Sequence, residues 1–314
     1  MKVLVTGPTG FVGRHLLPLL LDRGDAVRGL VRPATDDSWL RERNVEVVPG
    51  DLLDPESVRR AAAGCERVYH LAGVVAHERR DAERCRAVNV EGVRTVLSAL
   101  EPGARLVHVS SLGAVGPARG PGDVAREDQP FPHGVEKKLP YVASKRAGER
   151  LVLDAAGAGT DAVIANPGFL LGPDDPHRVS TWPVQRYLQG TLRITVSGGL
   201  SVADTRDVAS GLVTLGDRGR TGERYILTGA DGNLTWSAFF HRVGELTGVR
   251  RTMVRLPPRV AVAAATLVPW PVRPGEVRLA TRWWFAAPNK AVRELGFEPR
   301  PVDETLRDTA VQYA

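Results

Sequence analysis

Residues 3–13 read VLVTGPTGFVG. Val3, Leu4 and Val5 are a short apolar run, suited to a parallel strand buried on both faces. Thr6-Gly7-Pro8-Thr9-Gly10 is turn chemistry. From Phe11 the apolar spacing becomes helical, through Val12, Leu16, Leu19 and Leu20. The stretch therefore predicts a strand, a glycine loop and a helix. Gly7, Gly10 and Gly13 stand three residues apart. In such a unit the first glycine allows the tight turn and the second lets backbone N–H groups approach a pyrophosphate. The third lets the helix pack closely on the strand. The positive end of the helix then faces the anion, so the expected ligand is a dinucleotide. Thr9, Gly10, Phe11 and Val12 are the loop and helix residues expected against it.

Composition narrows the class. The chain has 314 residues, enough for one large domain or a domain plus a lobe. A core of that size needs neither disulfides nor metal. The two cysteines, Cys65 and Cys85, lack zinc spacing, and no metal site is expected. Idle thiols suit a reducing cytoplasm, the expected location. The first strand begins at once, so no signal peptide is expected. The longest nearly uncharged stretch, Val260 to Val272, is broken by Pro269 and Pro271 and is too short to span a bilayer. Its first part, residues 260–268, reads as a packed helix rather than a membrane-contacting one. Lys and Arg number 42 against 36 Asp and Glu, a net charge of +6 without a basic tract. That describes a solvated surface rather than a nucleic-acid binder, with a field that favours an anionic cofactor. A homodimer is compatible with this composition.

Further strands follow in order. Asp25 to Arg32 reads as the second, ending Leu30-Val31-Arg32-Pro33 with no carboxylate. An acidic residue there bonds the adenosine ribose of NAD, whereas arginine accepts the phosphate of NADP. Arg32 therefore favours NADP, with NAD as the alternative. After a third strand, Val45 to Val48, Asp51 is placed to reach the adenine amino group and Leu52 to pack on the ring. A helix is expected from Asp54 through Ala63. Val68 to Gly73 is the fourth strand, and its end, Leu71-Ala72-Gly73, permits close approach to the cofactor. His70 and His77 read as structural or solvent-facing. Arg105 to Val109 is the fifth strand, ending in Ser110-Ser111.

Residues 117–140 form a Gly- and Pro-rich insertion carrying Asp123, Glu127, Asp128 and His133, expected to touch substrate or to move. The helix opening at Pro140 places Tyr141 and Lys145 four residues apart, on one face. Ala162 to Ala165 is the sixth strand, followed by Pro167 and Gly168. Beyond it the strand–helix alternation weakens. The expected organisation is a dinucleotide-binding domain over 1–175 and a smaller lobe over 176–314, with some late segments returning to the sheet.

TGPTGFVG, GDL (Gly50 to Leu52), VNVEG, SSLGAVG, YVASK and NPGFLLGP occur in an order that resembles the extended short-chain dehydrogenase/reductases of the NAD-dependent epimerase/dehydratase superfamily. The late segment Asn289 to Phe297 with Pro299 resembles them too, so the likeness covers essentially the whole chain. It is nearest to the dihydroflavonol-4-reductase-like and 3β-hydroxysteroid dehydrogenase-like branch. The resemblance implies an α/β fold: a Rossmann-type, doubly wound parallel sheet with a C-terminal substrate lobe.

It also implies a catalytic set of Ser111, Tyr141 and Lys145. A free tyrosine, with a pKa of about 10, exchanges protons sluggishly at neutral pH. An ammonium one helical turn away would stabilise the phenolate and lower that pKa. Tyr141 would then act as general acid in reduction and base in oxidation. Lys145 would also hold the nicotinamide ribose, and Ser111, with Ser110 as the alternative, would hold the substrate oxygen. Pro167 and Gly168 would line the nicotinamide face.

One departure bears on substrate. Sugar-nucleotide enzymes of this superfamily usually carry a diphosphate-binding asparagine in the segment that here reads Phe169-Leu170-Leu171-Gly172-Pro173. Phe169 fills that place and Leu171 replaces a common tyrosine. The expected function is NAD(P)-dependent interconversion of a carbonyl and an alcohol on a fairly apolar small molecule. A sugar-nucleotide epimerase or dehydratase, and a non-catalytic cofactor sensor, are the alternatives.

Overall fold

The computed structural model describes residues 1–267 and 272–313. Twelve strands occur among them: β1 (Lys2–Thr6), β2 (Ala26–Val31), β3 (Glu46–Pro49), β4 (Arg67–His70), β5 (Arg105–Val109), β6 (Ala162–Pro167), β7 (Phe169–Leu171), β8 (Ile194–Val196), β9 (Gly199–Asp204), β10 (Arg224–Leu227), β11 (Asn233–Thr235) and β12 (Val254–Leu256). Seven form one parallel sheet in the order β10-β6-β5-β4-β1-β2-β3. The order reverses at β1. Chains leaving β1 and β4 therefore part at the carboxyl edge, and a crevice opens between them.

The apolar run at Val3–Val5 is buried on both faces because helices cover both sides of the sheet. Val3 and Val5 join a cluster with Leu16, Leu20, Leu212 and Phe297. Leu4, pointing the other way, joins Leu30, Val58, Leu106 and Ile164. Removing each such side chain from water contributes roughly 1.5–3 kcal/mol. The Phe11–Asp22 helix lies beside the Thr205–Arg218 helix on the first face. On the other, the Pro55–Ala62 helix starts at Asp54, whose carboxylate accepts from Glu56 N at 3.1 Å.

The fourth strand stops at His70, not Gly73. Its pairing ends at Thr6↔His70, because Gly7 turns the neighbouring chain away. The sixth strand is longer than its apolar run, since β10 pairs with it as far as Leu227↔Pro167. β10 thus brings residues after 220 back into the large sheet.

The remaining strands make two small sheets, β11-β9-β7 and β12-β8. They enclose a second core of Leu171, Val184, Tyr187, Leu234, Phe239 and Leu306. Thr235 caps the Trp236–Thr247 helix, its hydroxyl accepting from Ala238 N at 3.0 Å. The apolar stretch after residue 258 is a helix, Pro258–Leu267; Val268, Pro269 and Pro271 of that reading lie outside the described residues. It packs on one face and is exposed on the other. Among the described residues no helix is long and apolar enough to cross a membrane. Cys65 and Cys85 are buried free thiols.

The 117–140 insertion is a correction to the sequence reading. Ala118 bridges to Trp283 and Ala125 to Ala286, and Glu127 accepts from Ile226 N at 3.0 Å. These bonds bind the insertion to the outer edge of the sheet. None of the residues 117–139 lines the cavity that holds Tyr141.

Candidate active site

Three segments meet at the crevice. In the glycine loop, Gly7 has φ +69°, and a Cβ there would lie 2.9 Å from Ala72 N. Both facts exclude a side chain. Gly10 N donates to Gly7 O at 3.1 Å and closes the turn before Phe11. The helix then starts without a side-chain cap and without an acid in its first turn. Its leading N–H groups, at Phe11 and Val12, remain available to an anion. Gly13 differs from expectation. A Cβ on it would meet Pro8 O at 2.4 Å, so the close contact is between the helix and its own loop rather than the strand. Thr9 stands at the partly exposed tip.

The chain past β4 runs alongside. Leu71 N donates to Thr6 O at 3.2 Å and Ala72 N to Thr6 Oγ1 at 3.3 Å. At the far side of the crevice Arg32 is exposed beyond β2. The Asp51 carboxylate accepts from Leu53 N at 2.8 Å, within its own turn. Leu52 is buried in the core with Leu30 and Val93, so packing within the protein occupies most of its surface. Arg14, on the Phe11–Asp22 helix, carries no motif signal in the sequence. Its guanidinium lies 5.4 Å from the Trp39 ring centre, and its Nε is buried without a partner among the described residues. An uncapped helix start, bare glycine surfaces and this orphaned donor fit an anionic dinucleotide.

The reacting end lies across β5. Ser111 begins a short helix, its Oγ accepting from Gly113 N at 3.1 Å, and it lines a cavity. Ser110 is buried outside that cavity with no partner for its hydroxyl. Tyr141 stands in the first turn of the Pro140–Gly157 helix, its hydroxyl engaged with Ser111. Burial pushes the Tyr141 pKa up, and the Ser111 hydrogen bond opposes that rise. The expected lowering by Lys145 is therefore corrected. The Lys145 ammonium donates to Val109 O at 3.0 Å, and burial holds its own pKa down to about 8. Tyr141 is governed by desolvation instead.

Two further groups order this end. Asn89 sits in a π-helical turn, Ala87–Glu91. Its amide accepts from Val74 N at 2.8 Å and donates to Val74 O and Ser144 Oγ, each at 2.9 Å. It thereby ties the segment after Gly73 to the helix that carries Tyr141. Asn166 donates to Ser111 O at 2.9 Å and to the buried Glu149. Glu149 is paired with Arg224 at 2.9 Å. The VNVEG and NPG segments were signals of the resemblance, but these partners were not legible in them. His70 is structural: its Nδ1 lies 2.7 Å from Thr6 Oγ1, and its ring stacks on buried His108. His77 is instead a cavity residue, edge-on to Tyr141 at 5.7 Å, its pKa lowered to about 4 by burial.

The cavity over Ser111 and Tyr141 measures about 660 Å³. Pro167 and Gly168 form part of its floor. Phe169, Leu170, Trp182, Trp236, Phe240 and Trp284 supply apolar wall. Leu171 is not part of it. Gln312 Nε2 donates to Gly172 O at 2.9 Å, and the C-terminal helix seals Leu171 into the lobe core. Arg178, Arg186 and Arg273 bring positive charge to the lining, with Glu276 among them. A second, charged depression of about 1040 Å³ is lined in part by Glu127 and Asp128 of the insertion and by none of the expected catalytic or cofactor-binding residues.

Residues 3–227 match the family described as the NAD dependent epimerase/dehydratase family. A putative dihydroflavonol 4-reductase from Synechocystis is 31% identical, covering 97% of this chain and 92% of its own. A ketoreductase from Stigmatella aurantiaca, named for a farnesylated dihydroquinoline oxide, is 32% identical over 96% of this chain and 92% of its own. Among solved structures, the UDP-glucose 4-epimerase of Thermus thermophilus in complex with NAD superposes with a TM-score of 0.77. It is 25% identical and covers 100% of this chain and 99% of its own. The chain belongs to the NAD-dependent epimerase/dehydratase family, as an NAD(P)-dependent enzyme of the extended short-chain dehydrogenase/reductase type.

Proposed function

We propose that the protein reduces a ketone or aldehyde on a fairly apolar small molecule, using NADPH, or catalyses the reverse oxidation. The observation that carries this reading is the apolar wall set directly against Ser111 and Tyr141. The names of the Synechocystis and Stigmatella relatives, both reductases, support it.

When bound, the dinucleotide supplies or accepts the hydride. The chain's own residues handle binding and the proton. Ser111 Oγ donates a hydrogen bond to the substrate oxygen and fixes it beside Tyr141. Tyr141 then passes its phenolic proton to that oxygen as negative charge develops there. Raised pKa makes Tyr141 a firm holder of this proton until the oxygen becomes basic. Lys145, held by Val109 O, offers its remaining N–H groups to the cofactor ribose and a positive charge to the site. Asn89 keeps the Leu71–Gly73 side of the crevice in register with both. Arg32, exposed beyond β2, receives the phosphate that distinguishes NADP from NAD.

Sugar-nucleotide chemistry is the second reading, supported by Arg178 and Arg186 in the cavity lining and by the epimerase likeness. A diphosphate entering the cavity must exchange hydration for protein donors. Phe169 and Leu170 offer no side-chain donor, so the cavity should bind UDP and dTDP weakly. Calorimetric titration of both into the NADP-loaded protein checks this. Micromolar binding, lost on Arg186→Ala, replaces the apolar reading with the second one.

A further inference from the structure

The Pro258–Leu267 helix is a wall one helix thick. Ala261, Ala264 and Ala265 on its inner face line the cavity over Tyr141. Arg259, Val260, Ala263, Thr266 and Leu267 face outward, at the spacing of a single helical face. Leu267 is 82% exposed, Val260 51%, and Val254 on the preceding strand 54%. Val75 and Val179, which also line the cavity, are exposed as well. Among the described residues, five of the nine large exposed apolar side chains are therefore in or around the cavity and this helix.

Charge gathers on the same segment. Residues 250–267 hold four arginines, Arg250, Arg251, Arg255 and Arg259, and no carboxylate. Arg250, Arg255 and Arg259 are exposed. The hydrogen bonds made here go to uncharged oxygens, Arg251 to Leu188 O and Arg255 to Ser197 Oγ. Their positive charge remains for a partner. An exposed apolar ridge flanked by arginines is suited to the boundary between acyl chains and anionic headgroups.

We propose that this helix docks the protein on an anionic bilayer surface and that the cavity behind it takes its substrate from the membrane. The helix is too short to span. It lies at the interface, with Val260 and Leu267 among the acyl chains and the arginines at the phosphates. Docking brings an apolar substrate to the side of the protein on which Ala261, Ala264 and Ala265 line the cavity that holds Tyr141. The second half of the proposal rests on the reductase reading; the first half does not.

Sedimentation with lipid vesicles tests it without turnover. The protein should bind vesicles containing about 30 mol% phosphatidylglycerol, at least tenfold better than pure phosphatidylcholine vesicles. Binding should collapse at about 0.5 M NaCl, where surface charges are screened. Val260→Asp with Leu267→Asp, and separately Arg255→Glu with Arg259→Glu, should each cut binding at least tenfold at unchanged Tm. Wild-type protein that stays in the supernatant, that binds both vesicles equally, or that binds as well in high salt overturns the proposal. So does undiminished binding by either double variant. Loss of ketone reduction with vesicle binding intact would remove the reductase reading and leave the docking surface standing.

Discussion

At Tyr141, burial raises the pKa and one hydrogen bond from Ser111 opposes it, while Lys145 is engaged elsewhere. The division of labour predicts different phenotypes for neighbouring variants. Tyr141→Phe should cut turnover by about 10²–10⁴, the usual worth of a positioned proton donor, with cofactor affinity nearly unchanged. Lys145→Ala should lose turnover and weaken cofactor binding together. Turnover of the phenylalanine variant within threefold of wild type would remove Tyr141 from its role. Arg32 sets a second expectation. A charge-assisted contact to the extra phosphate contributes about 1.5–3 kcal/mol, so Arg32→Asp should shift preference from NADPH towards NADH by tenfold or more. Binding titrations of both cofactors check this, and wild-type protein that already holds NADH as tightly contradicts it. Tyr141 and Lys145 were read onto one helix face from their spacing, and Ser111 from the family resemblance; the fold brings Ser111 and Tyr141 to one cavity. Asn89, Asn166 and His77 were not legible in this way. Asn89 acts through Ser144, 55 residues away, and Asn166 through Ser111, equally distant. No local pattern encodes such partners.

Among the elements, the first strand–loop–helix unit was the most legible, since apolar periodicity and three glycines agree on one geometry. What the sequence concealed was which surface each glycine serves. Gly13 bears on Pro8 O, not on the strand. Gly13→Ala must therefore displace the loop carbonyl that lies 2.4 Å from the new Cβ, and with it the N–H groups that face the anion. A Kd for NADPH raised at least tenfold is expected, with a small change in Tm because the sheet core is untouched. Unchanged affinity would contradict the role given to this loop. The insertion over 117–140 was misread for the opposite reason. Its Gly and Pro content describes a loop correctly, but the bonds that pin it, from Ala118, Ala125 and Glu127, are to residues about a hundred or more positions later.

For the whole molecule, the doubly wound parallel sheet and the family were within reach of sequence because most of its strands are short, apolar and followed by turn chemistry; the strand order was not. The lobe was less legible. Its cavity wall is assembled from β7, β8, β9, β12, four separate helices and Trp284, so no single stretch records its shape. That shape is what separates the proposed reduction of an apolar carbonyl from the sugar-nucleotide reading. Following absorbance at 340 nm separates these outcomes most directly. Given NADPH and a panel of ketones and aldehydes of increasing apolar size, the protein should consume NADPH in proportion to the carbonyl lost, with the larger apolar members preferred. No net loss of NADPH across the panel, together with conversion of a sugar nucleotide at constant absorbance, would contradict the account.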